Sequence, residues 1–170
     1  EIARDYLSED TKKVVIDDKV DYNKLKQLAS NIAPEVEKRI YLYEKELPIF
    51  TTYGIEKELD KALKRKVWLD SGGYIIFDFT EALVSVDVNT GKYTGSKDLQ
   101  DTVFKTNLEA SKEIARQLRL RDIGGIIIID FIDMERENHQ REVLYVLEQE
   151  LAKDRTKTAL LGLTRLGLVE

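Results

Sequence analysis

The chain has 170 residues, enough for one ordinary domain or two small subdomains, and its apolar share of 42% is normal for a globular protein. No apolar run approaches the roughly 20 residues that span a bilayer. The absence of cysteine excludes disulfides, thiol catalysis and cysteine-ligated zinc within these residues. The net charge of −5 excludes bulk electrostatic attraction as the main source of nucleic-acid binding. Without a signal-peptide pattern, we expect a cytoplasmic protein.

Short elements alternate in the first half of the chain. The predicted elements are, in order, the end of a helix at 2–7, strand 14–16, helix 22–32, strand 39–43 and helix 55–65. Pro34 should close the unit that contains the second of these helices, because proline cannot continue a helix. We place an internal boundary in residues 66–70.

The second half carries the stronger patterns. The predicted elements are, in order, strands 74–79 and 82–88, helix 98–121, strand 126–129, helix 136–153 and strand 158–163. The four consecutive isoleucines from Ile126 predict a strand that is buried on both faces. We therefore predict an α/β fold with a mixed sheet and crossover helices. The chain ends without a polar tail, and we expect it to be part of a longer protein.

Aspartates end the two strands that the long helix connects. Strands joined by a helical crossover are normally parallel and in one sheet, so Asp87 and Asp130 should lie at the same edge. Neighbouring strands are about 4.8 Å apart, and both carboxylates could then reach one ion. Asn89, on the same face as Asp87, could hold that carboxylate by a hydrogen bond. Such oxygen ligands suit Mg²⁺, although spacing alone equally allows aspartates that merely cap strand ends and begin turns.

Long and unusual motifs surround these residues. They are Ser71-Gly72-Gly73, Asp78-Phe79-Thr80-Glu81-Ala82-Leu83, Val86-Asp87-Val88-Asn89-Thr90-Gly91, Thr106-Asn107-Leu108-Glu109-Ala110, the run from Glu113 to Asp122, Gly124-Gly125, Ile129-Asp130-Phe131-Ile132-Asp133-Met134 and His139-Gln140-Arg141. At these motifs the chain resembles the ribonuclease E/G family across essentially all of 71–170. A weaker likeness is visible in Arg4-Asp5-Tyr6-Leu7 and Leu47-Pro48-Ile49-Phe50.

The resemblance implies a DNase I-like catalytic subdomain in residues 67–170, preceded by part of an RNase H-like subdomain in 1–66. It implies a magnesium-dependent endoribonuclease core that hydrolyses single-stranded RNA, with Mn²⁺ as a possible substitute. In that family, the positions of Asp87 and Asp130 bind the metal and the position of Asn89 supports them. With water as the nucleophile, the products should carry 5′-phosphate and 3′-hydroxyl ends.

The resemblance also implies parts that lie outside these residues. An OB-type RNA-binding domain and a sensor for the RNA 5′-monophosphate would precede Glu1, and a Cys-x-x-Cys zinc link between subunits would follow Glu170. The full-length protein would be a homo-oligomer acting on 5′-monophosphorylated RNA. Lys157 falls where the family has an arginine that helps to bind the 5′-phosphate. Lys92, beside the proposed metal site, is a candidate contact to the RNA backbone.

Other features have simpler interpretations. The helical stripe of Lys105, Lys112, Arg116 and Arg119 is predicted to be a solvated face that pairs with Glu109 and Glu113, rather than a phosphate-contacting ridge. His139 has no partner for triad chemistry and should pack or lie on a helix surface. Asp133 should cap the next helix. Trp68 and the tyrosines show no regular stacking pattern and are predicted to be core or interface residues rather than base platforms.

Two further functions compete with hydrolysis. A non-catalytic RNA-binding or assembly module is the alternative from another class, since the chain would lack its partner domains. An ATPase is suggested by the hydrophobic strand that ends in Asp130. It is excluded within these residues because no Gly-x-x-x-x-Gly-Lys-Ser/Thr segment occurs.

Overall fold

The computed structural model describes residues 11–91 and 99–170 and divides the chain into two compact units, Glu1–Glu58 and Leu59–Glu170. The boundary predicted in residues 66–70 lies later in the chain than this division. The assignment of 1–66 as RNase H-like and 67–170 as DNase I-like stays a prediction. The helix end predicted at 2–7 lies outside the described residues. Within the described ranges, every helix is too short or too polar to cross a membrane.

The first unit is built around a short parallel strand pair. Its elements are β1 (Val14–Ile16), α1 (Lys19–Ile32), α2 (Pro34–Glu37), β2 (Ile40–Leu42) and α3 (Ile49–Thr52), after which α4 (Ile55–Ala62) crosses the boundary between the units. β1 and β2 are parallel, with Val14 opposite Ile40. Helix α1 begins earlier than predicted because the Asp18 side chain caps it, accepting the backbone N–H of Asp21 at 2.8 Å. Pro34 starts a short helix instead of closing the unit, since proline suits the first turn of a helix.

The second unit is a four-stranded mixed sheet with two long helices. Its elements are β3 (Lys66–Trp68), β4 (Tyr74–Phe79), β5 (Leu83–Asn89), α5 (Leu99–Leu120), β6 (Ile126–Asp130) and α6 (Glu137–Leu151). The strand order is β3-β4-β5-β6; the first two pairings are antiparallel and the last is parallel. The predicted α/β fold with a mixed sheet is therefore confirmed. β3 lies where the sequence analysis predicted only a boundary.

One face of this sheet forms the core. Alternating residues of β4, β5 and β6 are buried against α5 and α6, as alternation along a strand requires. The buried residues are Ile75, Phe77, Val84, Val86, Val88, Ile129, Ala110, Ile114, Val143 and Leu147. The residues between them point to the opposite side of the sheet, which we call the open face. It carries Lys66, Trp68, Tyr74, Ile76, Asp78, Ser85, Asp87, Asn89, Ile128 and Asp130.

Two strand predictions were wrong. The isoleucine strand is not buried on both faces, because the open face leaves Ile126 55% exposed. No strand forms over 158–163 in the described part of the chain. Instead, Val169 returns to the outer edge of β6 and exchanges two backbone hydrogen bonds of 2.8 Å with Ile129. Val169 also forms an isolated bridge with Leu163, and its bridge to Ile129 covers part of the edge that β6 would otherwise expose.

Candidate active site

Asp87 and Asp130 face each other across the parallel pair β5–β6. They are register partners at the carboxyl ends of the two strands, and both are exposed. Residues directly opposite each other on neighbouring strands project to the same side of the sheet, at a backbone separation of about 4.8 Å. The helical crossover thus brings together two carboxylates that are 43 positions apart in the sequence. Both lie on the open face, away from the apolar core.

Asn89 holds the first carboxylate. Its Nδ2 atom donates a hydrogen bond of 2.7 Å to Oδ2 of Asp87, two residues earlier on the same strand and on the same face. The contact restricts the rotation of Asp87 and leaves the other carboxylate oxygen to meet a ligand. The supporting role of Asn89 and the metal-binding roles of Asp87 and Asp130 stay predictions.

The second carboxylate lies in a negative environment. Partial burial, followed by the charges of Asp87 and Asp133, raises the pKa of Asp130 above its ordinary value. Asp133 therefore acts on the site electrostatically and does not cap the next helix: the N-cap of α6 is Arg136, which makes no side-chain capping bond. A cation would relieve this repulsion, and its ligands would be hard oxygens, the type that Mg²⁺ and Mn²⁺ prefer.

The site provides two carboxylate ligands rather than a complete set of protein ligands around a metal ion. Within 11–91 and 99–170, no group of three or more acidic, histidine or cysteine side chains is arranged to hold a metal. Magnesium is usually bound by one or two carboxylates and keeps several waters, so a pair is a sufficient donor set when a phosphate supplies further oxygens. The residues present fit such an ion.

A buried amide fixes the loop after Asp130. Asn107, fully buried on α5, donates from Nδ2 to the carbonyl oxygen of Ile132 at 2.8 Å and accepts the N–H of the same residue at 3.2 Å on Oδ1. Both backbone groups of Ile132 are satisfied by one side chain. Because Ile132 is two residues beyond Asp130, this contact sets where the strand ends. Asn107 belongs to the Thr106–Ala110 motif, and its local pattern did not predict this role.

A carboxylate from the same helix fixes the loop before β4. Glu109 accepts the backbone N–H groups of Asp70 and Ser71, the latter at 3.2 Å. It was predicted to pair with the basic stripe of α5, and that prediction was wrong. Glu109 bonds to the loop instead because the backbone N–H groups of the tight 70–73 loop have no strand partners. A charged carboxylate accepts such N–H groups strongly.

Glycines let this loop press against the end of β5. A Cβ atom at Gly73 would lie 2.7 Å from the carbonyl oxygen of Asn89, and a Cβ atom at Gly91 would overlap the carbonyl oxygen of Gly72. Gly91 also has φ +64°, in the region that favours glycine. The chain on either side of Asn89 is therefore held by close backbone packing that excludes side chains.

We expect Gly91→Ala to destabilise the second unit beyond the cost of its positive φ. The backbone conformation alone costs about 1–2 kcal/mol, and the forced overlap adds about 1–3 kcal/mol. Gly125→Ala is the matched control, since Gly125 has φ +87° in the same unit and a Cβ atom added there would meet nothing within 4 Å. Denaturant unfolding of both variants measures the difference. If both variants lose the same free energy of unfolding, the backbone at Gly72 moves away from the added Cβ atom without an energetic cost.

The structure describes one of the two lysines that were predicted to contact RNA. Lys92 lies outside the described residues. Lys157 is exposed beyond the end of α6, on a concave surface that includes Arg155 and Thr158. Thr158 also lines a cavity with Ile126 at the start of β6, and the strand carries Asp130 about 13 Å further along. The structure thus separates Lys157 from the carboxylates by the length of the strand.

The remaining side chains follow simpler interpretations. Arg116 pairs with Glu113 at 3.0 Å and Arg119 donates to the backbone carbonyl of Glu150 at 2.8 Å, so this part of the basic stripe is engaged within the protein. His139 is buried and stacks on Phe104 with ring centroids 4.1 Å apart, in keeping with a packing role. Trp68, however, is 64% exposed on the open face, which excludes the core for this residue and leaves the interface part of the prediction untested.

Comparison with known proteins gives a consistent family. The model of the Ribonuclease E/G family matches residues 1–170. Ribonuclease G of Salmonella typhimurium and of Escherichia coli are each 48% identical over 169 residues, which is 99% of this chain and 35% of theirs. Ribonuclease E of Escherichia coli is 44% identical over 168 residues, 98% of this chain and 16% of that protein. The chain spans about a third of the length of its ribonuclease G relatives. With a match of the family model over its whole length, the chain belongs to the ribonuclease E/G family.

Proposed function

We propose that this chain is the catalytic core of a metal-dependent endoribonuclease that hydrolyses phosphodiester bonds in single-stranded RNA. The observation that carries the proposal is the register of Asp87 opposite Asp130 on the open face of the sheet. Family membership supports an RNA substrate, because the relatives are ribonucleases by name. Because Asp87 and Asp130 lie on an exposed sheet face rather than in a closed pocket, an extended polymer can pass across them.

Asp87 and Asp130 would hold Mg²⁺ or Mn²⁺, and Asn89 would keep Asp87 in its binding rotamer. When bound, such an ion lowers the pKa of an attacking water and offsets charge on the phosphate. Asp133 adds negative potential that favours cation binding, as the raised pKa of Asp130 indicates. Attack by water rather than by the ribose 2′-hydroxyl would leave a 5′-phosphate and a 3′-hydroxyl.

Further parts of the proposal concern the longer protein. Lys157 would contact the 5′-monophosphate of RNA at a position remote from the carboxylates, so sensing of the end and cleavage would use separate sites. Lysine keeps the charge of the family's arginine but loses its bidentate geometry, which lowers specificity for phosphate. The longer protein would be a homo-oligomer, and the cysteines of its zinc link would come from outside this chain, which has none.

We expect the 170-residue chain alone to bind RNA weakly and to cleave it slowly. Its net charge of −5 offers little phosphate neutralisation, and substrate positioning contributes several kcal/mol to catalysis. The test compares this chain with a chimera in which it replaces the matching segment of Escherichia coli ribonuclease G. Cleavage of a 5′-monophosphorylated single strand with Mg²⁺ is followed at two salt concentrations, and the product ends are mapped.

The chimera should cleave and leave 5′-phosphate and 3′-hydroxyl ends, while the isolated chain should show little turnover and strongly salt-sensitive binding. Equal cleavage rates would refute the positioning argument. Products with 2′,3′-cyclic phosphates would rule out water as the nucleophile. If both proteins bind RNA and neither cleaves, the assembly-module interpretation replaces this one.

A further inference from the structure

The open face carries an aromatic and cationic cluster next to the carboxylates. Trp68 ends β3 with 64% of its surface exposed, and Tyr74 begins β4 directly opposite it. Their ring centroids are 5.4 Å apart in an edge-on arrangement. Nζ of Lys66 lies 4.0 Å from the centre of the Trp68 ring and 3.5 Å from that of Tyr74. We call these three residues the aromatic cluster.

The aromatic cluster is continuous with the proposed active site. Trp68, Tyr74 and Asn89 form one row across β3, β4 and β5, and therefore project to the same face. They line a depression of about 600 Å³ together with Lys66, Gly72, Thr90 and Gly91. Two strand spacings, about 10 Å, separate the backbone of Trp68 from that of Asn89, which holds Asp87. A short stretch of extended polymer would reach from one to the other.

We propose that the aromatic cluster is a base-stacking subsite for a nucleotide of single-stranded RNA near, but not at, the bond to be cleaved. This rests on the proposed function for the placement of the cleaved bond. Indole and phenol rings stack on any base, because every base has a π-face. Lys66 pins the two rings by cation–π contact and leaves the outer side of the indole free.

Lys66 also supplies positive charge close to the negative aspartates. Its ammonium group, above the rings, is placed to neutralise the phosphate of the stacked nucleotide. Trp68 contributes little buried area to its unit, and it forms an aromatic pair with Tyr74 rather than being an isolated apolar residue on the surface. In a single-stranded nucleic acid, a base can stack on the aromatic rings and a phosphate can pair with Lys66.

The test uses the fluorescence of Trp68, the only tryptophan in the chain. Single-stranded RNA is titrated into the 170-residue protein at low salt, with chelator present so that the RNA stays intact. Binding followed by an independent label should coincide with quenching of the tryptophan emission. Trp68→Ala should weaken binding about 5- to 150-fold, the equivalent of about 1–3 kcal/mol, and Trp68→Phe should restore most of it.

The matched control is Tyr145→Ala, which removes a 60%-exposed aromatic ring from helix α6, in the layer behind the sheet. It should leave both affinity and quenching unchanged. An RNA with a single abasic nucleotide, moved along the strand, should at one position lose as much affinity as Trp68→Ala. At that position the variant and the abasic RNA should show no additional loss when combined.

The outcomes separate this proposal from the function on which it rests. If RNA binds this chain and quenches its tryptophan, but the chimera described above does not cleave RNA, the subsite stands and the proposed hydrolase activity is refuted. Cleavage with unchanged tryptophan emission, or binding that Trp68→Ala does not weaken, would overturn the subsite alone. If Trp68→Ala alters the sedimentation of the protein and leaves RNA affinity unchanged, the aromatic cluster is a protein interface and the proposal is wrong.

Discussion

Replacing Asp130 by asparagine should reduce RNA cleavage by at least about 100-fold in the ribonuclease G chimera while leaving RNA binding largely intact. Asparagine keeps the size of the side chain and removes its charge. Losing a metal ligand removes activation of the water and stabilisation of developing charge together, which is why the effect is large. The same loss is expected for Asp87→Asn. Initial rates under conditions that saturate with RNA, measured beside binding by a labelled strand, separate catalysis from affinity.

Unfolding of the isolated chain gives an independent readout of the same pair. Burial and the charges of Asp87 and Asp133 raise the folded-state pKa of Asp130, so its ionisation opposes folding. This penalty is absent below the unfolded pKa and grows as the pH rises through the folded pKa. In chelator near neutral pH, Asp130→Asn should therefore be at least as stable as the wild type. The difference should vanish in acid, where both side chains are uncharged.

With manganese bound, the wild type should become more stable than Asp130→Asn. A ligand that binds only the folded state at a concentration of a hundred times its Kd adds about 2.7 kcal/mol of stability, and we expect this for the wild type but not for Asp130→Asn. Asp78→Asn is the matched control, because Asp78 lies on the same face of the sheet and pairs with Arg65 instead. It should keep the manganese response. Equal stabilisation of the wild type and Asp130→Asn would place the metal elsewhere.

The carboxylate pair was predictable because it depends on rules with few exceptions. A hydrophobic strand, a long helix and a second hydrophobic strand give a parallel neighbour pair, and the residue that ends each strand follows from the pattern itself. Asp87 and Asp130 are register partners as a result. The bond from Asn89 follows from the two-residue repeat of a strand, which put the two side chains on one face.

The residues that hold the site were not predictable from local pattern. Glu109 could pair with lysines of its own helix or accept N–H groups from a distant loop, and only the tertiary arrangement decides between them. Strand β3 has three residues, too few to show a period, so local pattern could not decide whether Trp68 is a core or an interface residue. The isoleucine strand looked buried on both faces because hydrophobicity does not reveal whether a second layer covers the sheet. Here Ile126 is left exposed.

Asn107→Leu should cost about 2–4 kcal/mol of stability and also weaken metal binding at the proposed site. Leucine fills the volume but leaves the N–H and the carbonyl of Ile132 without the partners that Asn107 provides, and each such group costs about 1–3 kcal/mol when it stays dry. Because Ile132 follows Asp130 by two residues, the end of β6 should loosen. Residues that orient metal ligands are typically worth 10–100-fold in affinity or activity. We expect a loss of that size in manganese affinity.

Gln117→Leu on the same helix distinguishes positioning from stability. Gln117 is also buried, and its amide contacts the side chains of Glu113 and Arg121, near the other end of α5. This variant should lose stability without losing manganese affinity, when both variants are measured well below their unfolding temperatures. If manganese binds the two variants equally, Asn107 only stabilises the fold. If Asn107→Leu alone binds manganese weakly while folded, the helix that connects the two strands also sets the geometry at their ends.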